Sequence, residues 1–407
     1  MAYLRQVRCK SSFHRQGYHQ WDRTHVSDFE PAGDKVSVDN PAQFFRDHGR
    51  DFYVCCADME ANTLVLAKSE DISRTRKAPF FGEALRLEAE TLLVIPFSLL
   101  PGVAAEVAKD VKHITTTFLF QTTRCGSTLL TKALQASGVI NTISESDVYT
   151  SFCQYVVTKK KLDEDDMAKL MGVIRHTNTL FNYTLWQGNP SQTVACYKMR
   201  GQVTSIADLM CKAVPGAKTI LLYRGLTGTV DSYARMITGG SYWKYWLLTA
   251  LKLDHAESRK IAVMAASSPW ENPMFASLPV PHGIVWFTAC VWLELMQKAV
   301  AMTDHGSTQR FHVVLRYKEL MMYKEAMVME VMDCLGIRFS DKDTGQKIRE
   351  AFGVNSQAGH MVASRGPGGG KSWIGEWEMG IISKILFHSN VGIDQPDFVL
   401  DGTLTNL

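Results

Sequence analysis

The chain has 407 residues, of which 46% are hydrophobic and 21% are charged, a composition typical of a globular protein with one large domain or one domain plus a module. Its 44 lysines and arginines nearly balance its 41 aspartates and glutamates, so no nucleic acid is expected as a partner. The nine cysteines include no C-x-x-C pair, which argues against a metal or redox site and favours a reducing compartment.

Neither a signal peptide nor a membrane span is predicted. The first 24 residues are polar and lack an apolar core of signal-peptide length. The most apolar stretch, residues 92–105, is interrupted by Pro96 and Pro101 and is shorter than the roughly twenty residues that a transmembrane helix needs. We therefore expect a cytoplasmic protein.

The N-terminal part of the chain shows only short structural signals. Residues 1 to about 45 are polar and poorly periodic, which predicts a tail or a loop. Three short apolar runs at residues 52–56, 63–66 and 91–95 are separated by charged turns and predict strands. We define residues 1–111 as an N-terminal extension with a few strands and an unknown role.

After about residue 112, strands alternate with helices. Strands are predicted at residues 114–120, Lys218–Tyr223 and 311–315. A helix follows each of them, from near Ser127, through about Met236 and through about Cys334 respectively. This alternation indicates a second domain over residues 112–407, an α/β fold with a parallel sheet covered by helices. Ligands of such sheets bind beyond the carboxyl ends of the strands.

The loop after the first of these strands has the chemistry of a phosphate site. Gly126 lets the backbone approach an anion closely, and Ser127 and Thr128 offer hydroxyls at the N-terminus of a helix. Arg124 adds a planar cation suited to phosphate or sulfate oxygens. No lysine follows Gly126, so the loop is not a Walker A sequence, which counts against an ATPase or a kinase. Taken alone, the loop is equally compatible with an ordinary capped strand–helix turn.

A second basic motif lies about a hundred residues downstream. Arg224 stands at the end of the predicted strand Lys218–Tyr223, and Ser232 follows eight residues later, on the next helix. The two side chains are placed to converge on one phosphate. An arginine and a serine at this spacing occur often by chance. The pair indicates a phosphate site only in combination with the first loop.

Both motifs resemble those of the sulfotransferases. In that family a basic residue, a small residue, glycine and two hydroxyl residues bind the 5′-phosphosulfate of 3′-phosphoadenylyl sulfate (PAPS). With Arg124 and Leu129, residues 124–129 are closest to the tyrosylprotein sulfotransferases. Arg224 and Ser232 resemble the family's 3′-phosphate motif. The resemblance implies a P-loop NTPase-like fold in which PAPS is bound by Arg124, Cys125, Gly126, Ser127, Thr128, Arg224 and Ser232.

Three weaker matches occur in the family's order and extend the resemblance over residues 112–373. Residues 196–200 resemble a K-x-x segment, and residues 316–320 resemble R-Y-E-D-L, which implies a donor-binding role for Tyr317. Residues 365–373 resemble the glycine-rich segment that closes over the nucleotide, which adds Lys371 to the predicted donor site. Tyr317 is also compatible with a core position and the glycine-rich segment with a flexible loop.

The predicted chemistry is an in-line transfer without a metal. Arg124 and Lys198 are the candidates that neutralise charge on the leaving oxygen. The acceptor must lose a proton, and the cytosolic family uses a histidine at the position of Arg200, which cannot serve. The tyrosylprotein family uses a glutamate about twenty-one residues after the loop arginine, which corresponds here to Glu145. Asp147 is the rival base.

The sequence therefore predicts a sulfotransferase that transfers a sulfuryl group from PAPS to a hydroxyl or amine of an unidentified small molecule, carbohydrate or peptide. One alternative is an inactive protein that binds PAPS or its 3′,5′-bisphosphate product, and another is a P-loop kinase. Trp286 and Trp292 lie in an apolar run and are predicted to be core. Four aromatic residues after the second motif are predicted to form an acceptor or lid region: Tyr242, Trp243, Tyr245 and Trp246.

Overall fold

The computed structural model describes residues 1–10, 23–265, 269–303, 311–338, 343–354, 371–389, 393 and 395–405. The chain divides into two compact units. The first unit contains Met1–Leu119, Leu134–Thr219 and Phe339–Thr344, and the second unit contains Phe120–Ala133, Ile220–Arg338 and Gly345–Leu407. This division is spatial and does not test the predicted boundary after residue 111, which stays a prediction.

The first unit contains an antiparallel sheet built from the N-terminal residues. Its strand order is β2-β1-β5-β4-β3. Tyr3 of β1 lies between Ser37 of β2 and Val94 of β5. The strands are β1 (Ala2–Cys9), β2 (Phe29–Val38), β3 (Tyr53–Asp58), β4 (Thr63–Ser69) and β5 (Ala89–Pro96). The three strands predicted between residues 52 and 95 are therefore confirmed.

The prediction of a tail or loop before residue 45 was wrong. This segment contains β1, β2 and the start of a helix that follows Asn40, whose side chain accepts a hydrogen bond from the backbone of Gln43. The strand β2 lies at the edge of the sheet, and only its two end residues, Phe29 and Val38, are buried. An edge strand with a solvated surface is polar and shows little apolar alternation, which explains the error.

A second five-stranded sheet has the order β10-β9-β6-β8-β7. Its strands are β6 (Thr115–Gln121), β7 (Ile140–Ser144), β8 (Val194–Lys198), β9 (Lys218–Tyr223) and β10 (Val313–Arg316). Within the first unit, β6 and β7 both run parallel to β8, so that Leu119, Lys198 and Ser144 are in register. Within the second unit, β10 runs parallel to β9. The predicted α/β fold with a parallel sheet is confirmed.

The helices, in chain order, are α1 (Pro41–His48), α2 (Ile72–Lys77), α3 (Phe81–Leu87), α4 (Leu100–Ala108), α5 (Ser127–Ala136), α6 (Asp147–Lys159), α7 (Glu164–Gly188), α8 (Ala207–Ala213), α9 (Leu226–Ile237), α10 (Tyr242–Ala250), α11 (Asp254–Ala265), α12 (Pro273–Ala276), α13 (Ile284–Thr303), α14 (Tyr317–Tyr323), α15 (Glu325–Cys334), α16 (Thr344–Gly353) and α17 (Glu376–His388). The helix predicted to run through Cys334 is divided in two, because Lys324 has a left-handed backbone (φ 48°) that interrupts the helical path.

The helix α13 forms much of the core of the second unit. Trp286 and Trp292 are almost completely buried, as predicted. The Trp292 indole donates a hydrogen bond of 2.8 Å to the carbonyl of Arg224, which fixes the end of β9. In the described part of the chain, α13 alone is long and apolar enough to cross a membrane, but 67% of its most apolar window is buried in the fold. A core helix has this pattern.

Candidate functional site

The loop between β6 and α5 has an unusual backbone. Thr123 (φ 60°), Arg124 (φ 49°) and Gly126 (φ 85°) all adopt left-handed conformations. Each non-glycine residue in this region costs of order 1–3 kcal/mol, and such residues persist where the surrounding structure holds them. Strained backbone of this kind is concentrated at ligand-binding loops, which supports a functional role for this one.

Two side-chain hydrogen bonds to Gln121 hold the loop in place. The Ser127 hydroxyl donates to Gln121 Oε1 at 2.5 Å, and the Cys125 thiol donates to the same oxygen at 3.5 Å. Ser127 and Thr128 are only 5% exposed, and Cys125 is fully buried. The thiol of Cys125 is therefore a packing group and not an accessible nucleophile. The backbone N–H groups of the first turn of a helix have no partner within the helix, and such groups form anion sites in many proteins.

Tyr317 packs directly against the loop. A Cβ atom added to Gly126 would lie 2.7 Å from two ring carbons of Tyr317, so no side chain larger than hydrogen fits. Tyr317 is the first residue of α14, and Arg316 before it pairs with Glu319 at 2.5 Å and with Asp397 at 3.3 Å. The hydrogen bond to Glu319 raises the pKa of Arg316. This ion pair fixes the start of α14 and the position of the ring.

The two motif arginines meet in the second unit. The Arg124 Nε donates to the Ser232 hydroxyl at 3.0 Å, and Arg224 donates to the Arg124 carbonyl at 3.3 Å. The Arg224 guanidinium also lies 4.7 Å from the centre of the Tyr317 ring. Among the described residues, the side chain of Arg224 contacts a carbonyl and a ring but no carboxylate. A half-buried arginine with such neighbours is suited to an anionic ligand.

The C-terminal segment is anchored to α9. The Trp373 amide donates to Asp231 at 2.8 Å, and the Arg235 guanidinium lies 4.4 Å from the centre of the Trp373 ring. Lys371 is exposed, and its carbonyl accepts a hydrogen bond of 2.8 Å from Arg235. Residues 365–370 of the predicted glycine-rich segment lie outside the described residues, so the donor-binding role of Lys371 stays a prediction.

The predicted catalytic pair lies in the first unit, where β7 and β8 end. The Lys198 ammonium is 2.7 Å from Glu145 Oε1 and donates to the Ser144 hydroxyl at 3.2 Å. The Glu145 amide donates to the Lys198 carbonyl at 2.8 Å, and Glu145 adopts a left-handed backbone (φ 58°). The structure thus brings Glu145 and Lys198 together in an ion pair, with the Lys198 side chain 1% exposed and the Glu145 side chain 15% exposed.

Asp147 is a structural carboxylate and a poor candidate for the base. It is 1% exposed and lies 2.7 Å from Arg200, which is also 3.9 Å from Glu145. The second carboxylate oxygen of Asp147 accepts hydrogen bonds from the amide and the hydroxyl of Thr24, at 2.9 and 2.6 Å. Thr24 and Gly82, whose added Cβ would lie 2.8 Å from Asp147, were missed by sequence reasoning because nothing local marks them.

Comparisons with known proteins give weak likenesses. No family model matches the chain, and no curated protein matches it. The sulfotransferase domain from the curacin biosynthetic pathway is similar with a TM-score of 0.35 and 13% identity, covering 61% of this chain and 82% of that chain. The sulfotransferase domain from the Synechococcus PCC 7002 olefin synthase gives a TM-score of 0.31 and 14% identity, covering 64% and 84%. At these values the likeness assigns neither an activity nor a substrate, and the tyrosylprotein type stays a prediction.

Replacing Gly126 with alanine should destabilise the protein more than the same change at Gly138. Both glycines have positive φ angles, 85° and 79°, so both variants pay a backbone cost of about 1–2 kcal/mol. Only the Gly126 variant also meets Tyr317, since nothing lies within 4 Å of a Cβ at Gly138. This overpacking should add about 1–3 kcal/mol, measured by urea unfolding. Equal losses in the two variants would show that the ring does not restrict the loop.

Replacing Thr24 with valine should destabilise the first unit by about 1.5–3 kcal/mol, since a hydrogen bond to a buried carboxylate is lost. Thr24→Ser keeps the hydroxyl and should retain most of the stability. Urea unfolding of the two variants and the wild type measures the difference. A valine variant as stable as the wild type would show that the Thr24 hydroxyl does not stabilise the buried carboxylate of Asp147.

Proposed function

We propose that this protein is a sulfotransferase that uses PAPS as its donor and a hydroxyl or amine as its acceptor. The observation that carries the proposal is the cluster in the second unit in which Arg124 donates to Ser232 and Arg224 donates to the carbonyl of Arg124. The two sequence motifs are a hundred residues apart, and a chance pair of motifs would have no reason to meet. Their contact supports a single site for a doubly phosphorylated nucleotide.

Each part of the cluster has a role in donor binding. The backbone amides at the start of α5, with Arg124, would bind the 5′-phosphosulfate. Arg224 and Ser232 would bind the 3′-phosphate. Tyr317 keeps Gly126 free of a side chain and contacts Arg224, so it acts as a positioning residue. PAPS carries several negative charges, which suits a site with two arginines, of which Arg224 contacts a carbonyl and a ring.

The proposed transfer is an in-line displacement at sulfur. A bond forms between the acceptor oxygen or nitrogen and sulfur, while the bond from sulfur to the bridging oxygen breaks and releases the 3′,5′-bisphosphate. The sequence resemblance assigns the acceptor proton to Glu145 and the stabilisation of the leaving oxygen to Lys198 and Arg124. In the free protein Lys198 is paired with Glu145, and protonation of Glu145 would leave the ammonium charge for the departing group.

A donor-binding protein without transfer activity is the second candidate, and one observation favours it. Glu145 and Lys198, the two groups assigned to catalysis, are already engaged with each other at 2.7 Å. An ion pair that never opens would bind neither the acceptor nor the leaving group. Turnover measurements distinguish the two candidates, since both bind the bisphosphate.

The 3′,5′-bisphosphate of adenosine should stabilise the protein against heat, and Mg-ATP should stabilise it less. A ligand at about a hundred times its dissociation constant adds about 2.7 kcal/mol. Arg124→Ala and Arg224→Ala should each weaken this binding about tenfold or more, because a hydrogen bond to a charged group is lost. Arg349→Ala removes a surface ion pair in the same unit and serves as the matched control. Stabilisation by Mg-ATP alone would indicate a kinase and overturn the proposal.

Glu145→Gln should lower turnover by about a hundredfold to ten-thousandfold, the usual contribution of a general base, and should leave bisphosphate binding unchanged. Glu90→Gln, an exposed acid on β5, is the control. Transfer of labelled sulfate from PAPS to a panel of phenols, sugars, amines and peptides measures the rate. Undiminished turnover in the glutamine variant would show that Glu145 is not the base, whereas a wild type that binds the bisphosphate and transfers nothing would identify the binding protein.

A further inference from the structure

The helix α10 and the turn after it expose several large apolar side chains. Tyr242, Trp243 and Trp246 are 54%, 63% and 50% exposed, and Leu251 and Leu253 are 59% and 52% exposed. We call these five residues, with Lys244 and Lys252, the aromatic–lysine surface. Clusters of large exposed apolar side chains mark binding surfaces in soluble proteins.

The helix α10 has one buried face and one exposed face, and the exposed aromatic side chains lie on the second of these. At about 100° per residue, Tyr242, Trp246 and Trp243 lie within an arc of about 100° on the outer face. Tyr245 points inwards, is 2% exposed, and its hydroxyl donates to Glu378 at 3.0 Å. On the outer face the rings of Trp243 and Trp246 stack with their centres 5.3 Å apart. The inner face anchors α10 and leaves the tryptophans directed to solvent.

The charge of this surface has one sign. Residues 242–253 contain two lysines, Lys244 and Lys252, and no aspartate or glutamate, although acids and bases are almost balanced over the whole chain. Both lysines are exposed. Tryptophan and tyrosine are enriched at the level of lipid headgroups, leucine enters the acyl region, and lysines are attracted to anionic lipids.

We propose that the aromatic–lysine surface binds a lipid bilayer that contains anionic lipids, with the tryptophans at headgroup depth and the lysines on the phosphates. This binding is peripheral and independent of the proposed sulfuryl transfer. A second copy of the chain fits the surface less well, because a twofold contact would bring together two copies of a surface whose only charged residues are Lys244 and Lys252.

The test is co-sedimentation of the 407-residue chain with vesicles. We expect binding to phosphatidylcholine vesicles with about one third phosphatidylserine, little binding to pure phosphatidylcholine, and weakening by salt. Trp243→Ala with Trp246→Ala should weaken binding at least tenfold, and so should Lys244→Glu with Lys252→Glu. Phe387→Ala removes an aromatic side chain of the same unit that is 80% exposed, and it should bind like the wild type. Retained cooperative thermal unfolding shows that the variants are folded.

Three outcomes would overturn the proposal. The first is a double tryptophan variant that is folded and binds anionic vesicles as tightly as the wild type. The second is equal binding of the wild type to vesicles with and without phosphatidylserine. The third is a wild type that ignores vesicles and forms a dimer in sedimentation experiments that the tryptophan variant does not form, which would assign the surface to a second copy.

Discussion

The hydrogen bond from Arg124 to Ser232 is the contact on which the candidate site depends, since it joins segments 108 residues apart in the chain. A second constraint is the ring of Tyr317, which packs against Gly126 and leaves no room for a side chain there. The left-handed backbone of Gly126 also favours glycine. The two arginines add positive charge to this cluster, and Arg224 rests on a carbonyl and a ring. Two like charges near each other repel, and an anion that binds both arginines would offset the cost of this repulsion. That cost is the physical argument for a ligand.

In the first unit the two cations near Glu145 are paired with carboxylates. Lys198 and Arg200 face Glu145 and Asp147, so two cations are matched by two carboxylates, and Thr24 satisfies the remaining oxygen of Asp147. Such a cluster is neutral in itself and needs no ligand. Buried ion pairs of this kind contribute little net stability, but the removal of one member is costly. A catalytic role for Glu145 therefore requires the pair with Lys198 to open, which the tests of turnover address more directly than any binding measurement.

The sequence predicted three of the five strands of the parallel sheet and the two motifs that meet in the second unit, because the signals there are local. The apolar run of β9, the Arg124–Thr128 loop and the spacing from Arg224 to Ser232 all lie within short segments. Thr24 and β2 were missed for the opposite reason. The strand β2 is polar because it lies at a sheet edge, and Thr24 gains its meaning only from Asp147, 123 residues away. Partners so distant in sequence leave no periodicity to detect.

The helices α9 and α10 connect the candidate nucleotide site with the aromatic–lysine surface. The helix α9 carries Ser232 and Asp231, and Asp231 holds the amide of Trp373. The ring of Trp373 lies 5.8 Å from Tyr245, on the inner face of α10. The tryptophans on the outer face take no part in these contacts, so substitutions there should separate membrane binding from anion binding. Tyr242, a residue of the aromatic–lysine surface, also contacts Trp373, with ring centres 5.4 Å apart. Any coupling of the surface to the site through these rings would be reciprocal, altering both affinities by the same factor.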